Sequence, residues 1–262
     1  MSHVAELYGQ WLRRDLSQRF AGSALGPLWL LLQPLSFIVV ITLVFNGFFQ
    51  AKWPGGDGSA LDYGIKVFVG LSVHTFVADI LSRSPVAIVA HPYLVTKVRF
   101  PLALLPLVVA GVALAQLLLA LVLVMAVVLG LGLLAPAQAL QAWWALPGLL
   151  LPALLFMLGL AWLLAATGTY LRDLGNLTPA LSSFLMFLMP VFYPAELVPS
   201  ALAWFIDYNP LALCIEWLRQ LLFHGGLPSL QLWAAHAVVG LAMAGAGWWT
   251  FQRVRPGFAD VL

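Results

Sequence analysis

Charge is what this chain has least of. Acidic and basic residues make up only 8% of its 262 residues, against about a quarter in a soluble globular domain. A water-facing surface of ordinary size cannot be built from that. The single cysteine, Cys214, excludes an internal disulfide and says nothing about redox compartment. The only lysines, Lys52, Lys66 and Lys97, follow Ala, Ile and Thr, whereas a phosphate-binding loop needs Gly-Lys followed by Ser or Thr. Any ATP is therefore expected on a partner, with its Mg. No set of His, Cys and carboxylates has metal-ligand spacing, so no metal site is expected. A net charge of +2 is too small to draw nucleic acid.

What is present is apolar chain, with 63% hydrophobic residues and a mean hydropathy of +0.98. A spanning helix takes about 20 apolar residues, so this length holds about five to seven spans and little else. No charged residue occurs from Phe20 to Ala51, from Leu102 to Leu134 or from Ala139 to Leu171. Ion or proton coupling is disfavoured, because the third, fourth and fifth spans hold no ionisable group. The expected fold is an all-α integral membrane protein with six spans, at 28–49, 65–82, 102–134, 142–171, 175–193 and 230–252. Roughly 27 residues precede the first apolar run, so a cleavable signal peptide is not expected.

Outside the spans, Val4, Leu7, Tyr8, Trp11, Leu12, Leu16 and Phe20 recur at helical steps, which predicts an amphipathic interface helix within 1–24. Residues 83–101 hold three basic residues and Pro85, Pro92 and Pro101, and prolines break a long helix. This reads as a structured loop. Within 194–229, two short helices are predicted, Pro199 to Asp207 and Pro210 to Phe223, with Asn209 as a cap and Gly225-Gly226 as the stop. They are too short to cross, so they form a re-entrant pair.

Lys and Arg in alternate loops divide unevenly. One side holds Arg13, Arg14, Arg19, Arg83, Lys97, Arg99, Arg172, Arg253 and Arg255, and the other Lys52, Lys66 and Arg219. The first side is expected to be cytoplasmic, with both termini on it. Asp79, four residues before Arg83, reads as one half of a helix-end ion pair. His236 reads as a hydrogen bond to a neighbouring helix, and the role of His74 is open. Gly22-x-x-x-Gly26 has close-packing spacing but precedes the span, so it reads as a turn. Ala161, Ala165 and Gly168 read as a packing face.

Several pieces in order carry a resemblance: Arg13-x-Asp15-Leu16, Arg19-Phe20, Ser23-x-Leu25-Gly26-x-Leu28-Trp29 and Pro34-Leu35. Further on come Leu94 to Pro101, Leu105-Pro106, Tyr170-x-Arg172-Asp173, Val191-Phe192-Tyr193, Val198-Pro199, Asn209-Pro210-Leu211, Arg219 and Phe258-Ala259-Asp260. Over nearly its whole length the chain resembles the ABC polysaccharide-export permeases of the O-antigen and teichoic-acid branch. It departs from them at His91, where asparagine is usual, and at Leu102, where a basic residue is common.

The resemblance implies a homodimer of six-span permeases in the inner (cytoplasmic) membrane that pairs with two ATP-binding subunits. These pass a lipid-linked polysaccharide outward through a channel between protomers. Coupling to the ATPase is expected at Arg13, Arg14, Asp15, Arg19, His91, Val95, Thr96, Lys97 and Arg99. A sugar ring shows C–H patches that an aromatic face can stack on while the chain slides, so Phe37, Phe184 and Phe187 are expected to line the channel. Tyr193, Trp204, Phe205 and Tyr208 are expected to gate its outer mouth, and Arg172 and Asp173 to form a structural ion pair. Two rivals stay open: a related permease for drugs, small lipids or capsular polysaccharide, and a membrane-embedded transferase or scaffold.

Overall fold

The computed structural model describes residues 2–19, 29–44, 52–54, 56 and 58–262, and among these every regular element is a helix. Four of the helices are long and apolar enough to cross a membrane. They are α3 (Ala60–Arg83), α5 (Leu104–Gly130), α6 (Pro136–Tyr170) and α10 (Leu230–Val254). Two shorter apolar helices stand with them, α2 (Trp29–Ile41), which runs into a π turn at 42–44, and α7 (Leu174–Leu188). The amphipathic α1 (Ser2–Gln18), the short α4 (Pro92–Thr96), the pair α8 (Ser200–Tyr208) and α9 (Pro210–His224), and α11 (Phe258–Val261) complete the set.

Local chemistry places the ends, and several differ from the expected ones. Ser59 caps α3 by accepting from the Asp62 amide at 3.1 Å, which starts this helix at Ala60 instead of 65 and draws Asp62 into it, one turn ahead of Lys66. Pro136 opens α6 six residues ahead of the expected 142, with the Gln138 side chain accepting from the Ala135 amide at 3.3 Å. Helix α7 stops at Leu188, where Met189 turns extended and Pro190 follows. The expected fifth span to 193 is thus 15 helical residues, a reach of about 22 Å. Of the expected 28–49, positions 28 and 45–49 lie outside the described residues, as do Gly22 and Gly26. The short pair falls within a residue of expectation: Asn209 accepts from the Leu211 amide at 3.0 Å, and Gly225 closes α9 at φ 65°.

Helix α3 is the axis of the molecule, buried along most of its length among α2, α5, α7 and α9. The tightest partnership is α6 with α10. A Cβ added to Gly159 would fall on the backbone of Met243, one on Gly247 on the backbone of Gly159, and one on Gly240 on the carbonyl of Pro152. Lipid tails are as apolar as leucine, so membrane helices associate through such close van der Waals fit. Trp233 of α10 adds a bond from Nε1 to the Gly148 carbonyl of α6 at 2.9 Å, and Trp162 ties α6 to the start of α5 through Nε1 and the Ala103 carbonyl at 3.0 Å.

The amphipathic stripe of α1 is used on protein. Leu7, Tyr8, Trp11, Leu12 and Leu16 pack on Leu104, Val108 and Val112 of α5, and this burial pushes the Tyr8 phenol above its ordinary pKa. Of the expected packing face on α6, Ala161 and Ala165 are fully buried. Gly168 lies so close to Pro85 that a Cβ would meet its backbone, which seats the 83–101 segment on α6.

Candidate functional site

The molecule has two chemically different ends joined by the long helices. At the basic end, α1 is tied to α3 by charge. Arg83 donates through Nη2 to both carboxylate oxygens of Asp15, at 2.7 and 2.5 Å, and Arg19 donates to Asp79 at 2.5 Å. The expected Asp79–Arg83 pair exists at 3.6 Å, but it is the lesser contact of an alternating network of four. Asp15 and Arg19, expected to face the ATPase, are thus engaged within the chain. A double-mutant cycle on Asp15→Asn and Arg83→Gln is expected to give a coupling of about 1 kcal/mol in thermal unfolding, since both groups are part-exposed. Additive losses would show that the pair contributes nothing.

Beside this network the face is open. Arg13, Thr96, Lys97 and Arg99 are exposed and Val95 is half-buried. Arg14 lies over the Trp11 ring at 5.2 Å. His91 opens α4 edge-on to Trp11 at 5.4 Å, with its Nδ1 at 3.2 Å from the Ala87 carbonyl. A small groove of about 180 Å³ runs between α1 and the 83–101 segment, past Trp11, Arg14, Asp15, Arg83 and His91.

Arg172 and Asp173 correct an expectation. Both are exposed at the head of α7, and no ion pair joins them. Both stand in the turn ahead of α7, open to water, where an ion pair gains little over solvation.

Midway along the helices, His74 of α3 is buried with Nε2 at 2.9 Å from the Ser182 carbonyl of α7. A cavity of about 480 Å³ opens beside it, lined among others by Phe37, His74, Asp79, Gln116 and Met186. Phe37 is therefore on a cavity, whereas Phe184 and Phe187 are outside it on the bare face of α7, 72% and 65% exposed. His236 bonds the Leu232 carbonyl of its own helix at 2.9 Å, not a neighbouring one. Its contact across helices is the edge-on ring of Trp217, at 5.7 Å.

At the opposite end, Trp204 and Tyr208 project from α8 into open space, and Phe205 meets Trp204 edge-on at 6.0 Å. Tyr193 turns back, donating to the Phe187 and Leu188 carbonyls at 3.0 Å each, so it caps α7. Phe187 meets Phe192 at 6.0 Å.

The residue that sequence reasoning left unassigned is Arg219. It is buried in α9 and donates through Nε to the Lys66 carbonyl at 3.0 Å and through Nη2 to the Val191 carbonyl at 2.8 Å. Through Nη1 it reaches the Pro190 carbonyl at 2.6 Å and Glu216 at 2.7 Å, and it lies 4.4 Å from the centre of the Trp53 ring. One guanidinium thus holds α3, α9 and the end of α7 together. Beside it the buried Lys66 pairs with Asp62 at 2.8 Å. The available signal was an arginine three residues after Glu216 in an otherwise apolar helix, a placement that demands acceptors.

Residues 6–223 match the family model described as ABC-2 type transporter. The chain belongs to the ABC-2 type transporter family. Among curated proteins it is similar to the O-antigen export system permease protein RfbA of Myxococcus xanthus, 27% identical over 255 residues, covering 96% of this chain and 93% of that one. Two O-antigen export system permease proteins RfbA of Klebsiella pneumoniae align over 249 residues, at 22% and 23% identity, with 95% of this chain and 92% of each relative covered. The family match takes in most of α1, the 83–101 segment, α7, α8 and α9 up to residue 223. It is a multi-pass membrane protein of a transport family.

Proposed function

We propose that this chain is the membrane-spanning permease subunit of an ABC transporter that exports a lipid-linked polysaccharide, an O-antigen or a similar cell-surface glycan, across the inner membrane. The observation that carries this reading is the end-to-end alignment with relatives named as O-antigen export permeases. Six crossings follow if α2 and α7 span together with the four long helices. A short α7 is compatible with that, because the non-helical chain after it finds donors on Arg219, and backbone at membrane depth must be satisfied within the protein. The uneven division of Lys and Arg supports a cytoplasmic basic end and cytoplasmic termini.

In this reading two copies face each other and pair with two ATP-binding subunits, which hold ATP and Mg. The groove end, with Arg13, Arg14, His91, Val95, Thr96, Lys97 and Arg99, receives the ATP-binding subunit. Asp15 and Arg19 keep α1 attached to α3, so that a push on α1 reaches the central helix as a rigid-body movement. The bare α7 faces of the two copies, with Phe184 and Phe187, line the path, Phe37 borders its side cavity, and Trp204, Phe205 and Tyr208 form the outer rim. Tyr193 shapes that rim by capping α7. The chain breaks no substrate bond and works as a permease, not an enzyme.

The reading is tested by reconstituting the permease with its ATP-binding subunit in vesicles and following ATP-dependent passage of the glycolipid. Passage of small lipids or drugs with no movement of the polymer would replace it with the rival substrate class. The docking face is tested separately by crosslinking. Cysteines at Val95 and Thr96 are expected to crosslink to the ATP-binding subunit in at least one nucleotide state, and the native Cys214 is buried and gives no background. Failure in every state would move the docking face elsewhere.

A further inference from the structure

We infer that Phe258 is a positioning residue that holds the 83–101 segment in shape from beneath. The inference rests on the coupling role proposed above for that segment. Past α10 the chain makes one 3₁₀ turn, Arg255–Gly257, and then α11. In this short helix Ala259, Asp260 and Val261 are exposed and only Phe258 points inward, with none of its surface accessible. Its ring lies 5.6 Å from Phe251 edge-on and 5.9 Å from Tyr170. It shares one buried cluster with Ala87 and Ile88 of the turns and Leu94 of α4.

Two further contacts fix α11 under the segment. Tyr170 donates from Oη to the Val254 carbonyl at 2.9 Å, pinning the end of α6 to the end of α10. Gly257 leaves room for that hydroxyl, because a Cβ there would come within 2.5 Å of it. The segment has little order of its own. Residues 84–90 are a run of turns, and its one helix, α4, is five residues long. Isolated turns and a five-residue helix are unstable alone, so the segment takes its shape from what it packs on. Helix α6 supports it at Gly168 against Pro85, α1 at Trp11 against His91, and α11 at Phe258.

The test uses the full permease with its ATP-binding subunit in lipid nanodiscs, comparing the parent with Phe258→Ala and Phe258→Leu. Amide exchange across 84–96 is expected to accelerate at least about tenfold in Phe258→Ala, as a truncated buried aromatic leaves a cavity, while exchange in α3 is unchanged. Nucleotide hydrolysis stimulated by the glycolipid is expected to fall about tenfold, and Phe258→Leu, which refills much of the space, to restore both to within about threefold. Unchanged exchange across 84–96 in Phe258→Ala overturns the inference. So does acceleration in α3 and 84–96 together, which would make Phe258 general packing. Faster exchange across 84–96 with unaltered stimulation leaves the brace standing and removes instead the coupling role of the segment.

Discussion

Arg219→Ala is expected to destabilise the folded permease by about 3–5 kcal/mol and to remove most of it from the membrane, because the change strands three buried carbonyls and a half-buried carboxylate. Three carbonyls, those of Lys66, Pro190 and Val191, and the carboxylate of Glu216 all accept from this one guanidinium. An unsatisfied buried group forfeits about 1–3 kcal/mol. Arg219→Lys is expected to fare little better, since a single ammonium cannot reproduce the planar fork that reaches three directions. Gly70 shows how closely the site is fitted, for a Cβ there would come within 2.8 Å of the guanidinium and 3.0 Å of Val191. Thermal unfolding of the purified protein and the yield of monodisperse material measure the effect. Adding Glu216→Gln to Arg219→Ala should recover part of the loss by removing the uncompensated carboxylate. A shift below about 1 kcal/mol for Arg219→Ala would mean that water or lipid headgroups satisfy these groups.

The second large effect is expected on transport and not on folding. Phe184→Ala with Phe187→Ala should lower polymer export at least about tenfold while insertion and thermal stability stay near the parent's. Both rings are largely exposed on α7, so truncation opens no internal cavity, and exposed substitutions usually stay within about 0.5 kcal/mol. A stacking contact contributes about 0.5–1.5 kcal/mol, and two of them facing a moving sugar chain suffice for a tenfold change. The equally bare Val238 and Leu241 of α10 serve as controls, where alanine should change neither property. Normal export by the double variant would return the two rings to lipid contact. Loss of dimers together with loss of export would assign this face to the protomer contact.

How much of this was readable in advance differs by element. The α8–α9 pair was legible almost to the residue, since Asn209-Pro210 and Gly225 are local signals whose chemistry acts within one turn. The start of α3 was not, because the stretch before 65, with Asp62 in it, looks hydrophilic on a hydropathy average. Only the cap at Ser59 and the 2.8 Å pair with Lys66 explain why Asp62 enters the helix. The pairing of Arg172 with Asp173 failed for the opposite reason. Adjacency in sequence suggested a contact that two exposed charges in a turn do not make.

By itself the sequence determined that the chain is an all-helical membrane protein, where its apolar segments lie and which end is basic. Those properties are one-dimensional, since the lipid imposes composition and length on each segment separately. Tertiary structure decided which groups meet: Arg19 with Asp79, 60 positions apart, Arg83 with Asp15, 68 apart, and Arg219 with the Lys66 carbonyl, 153 apart. It also decided that the stripe of α1 packs on α5 and that the Phe184 face of α7 stays bare. Lipid and a neighbouring helix are equally apolar, so hydropathy alone cannot tell a face that another helix covers from one left open.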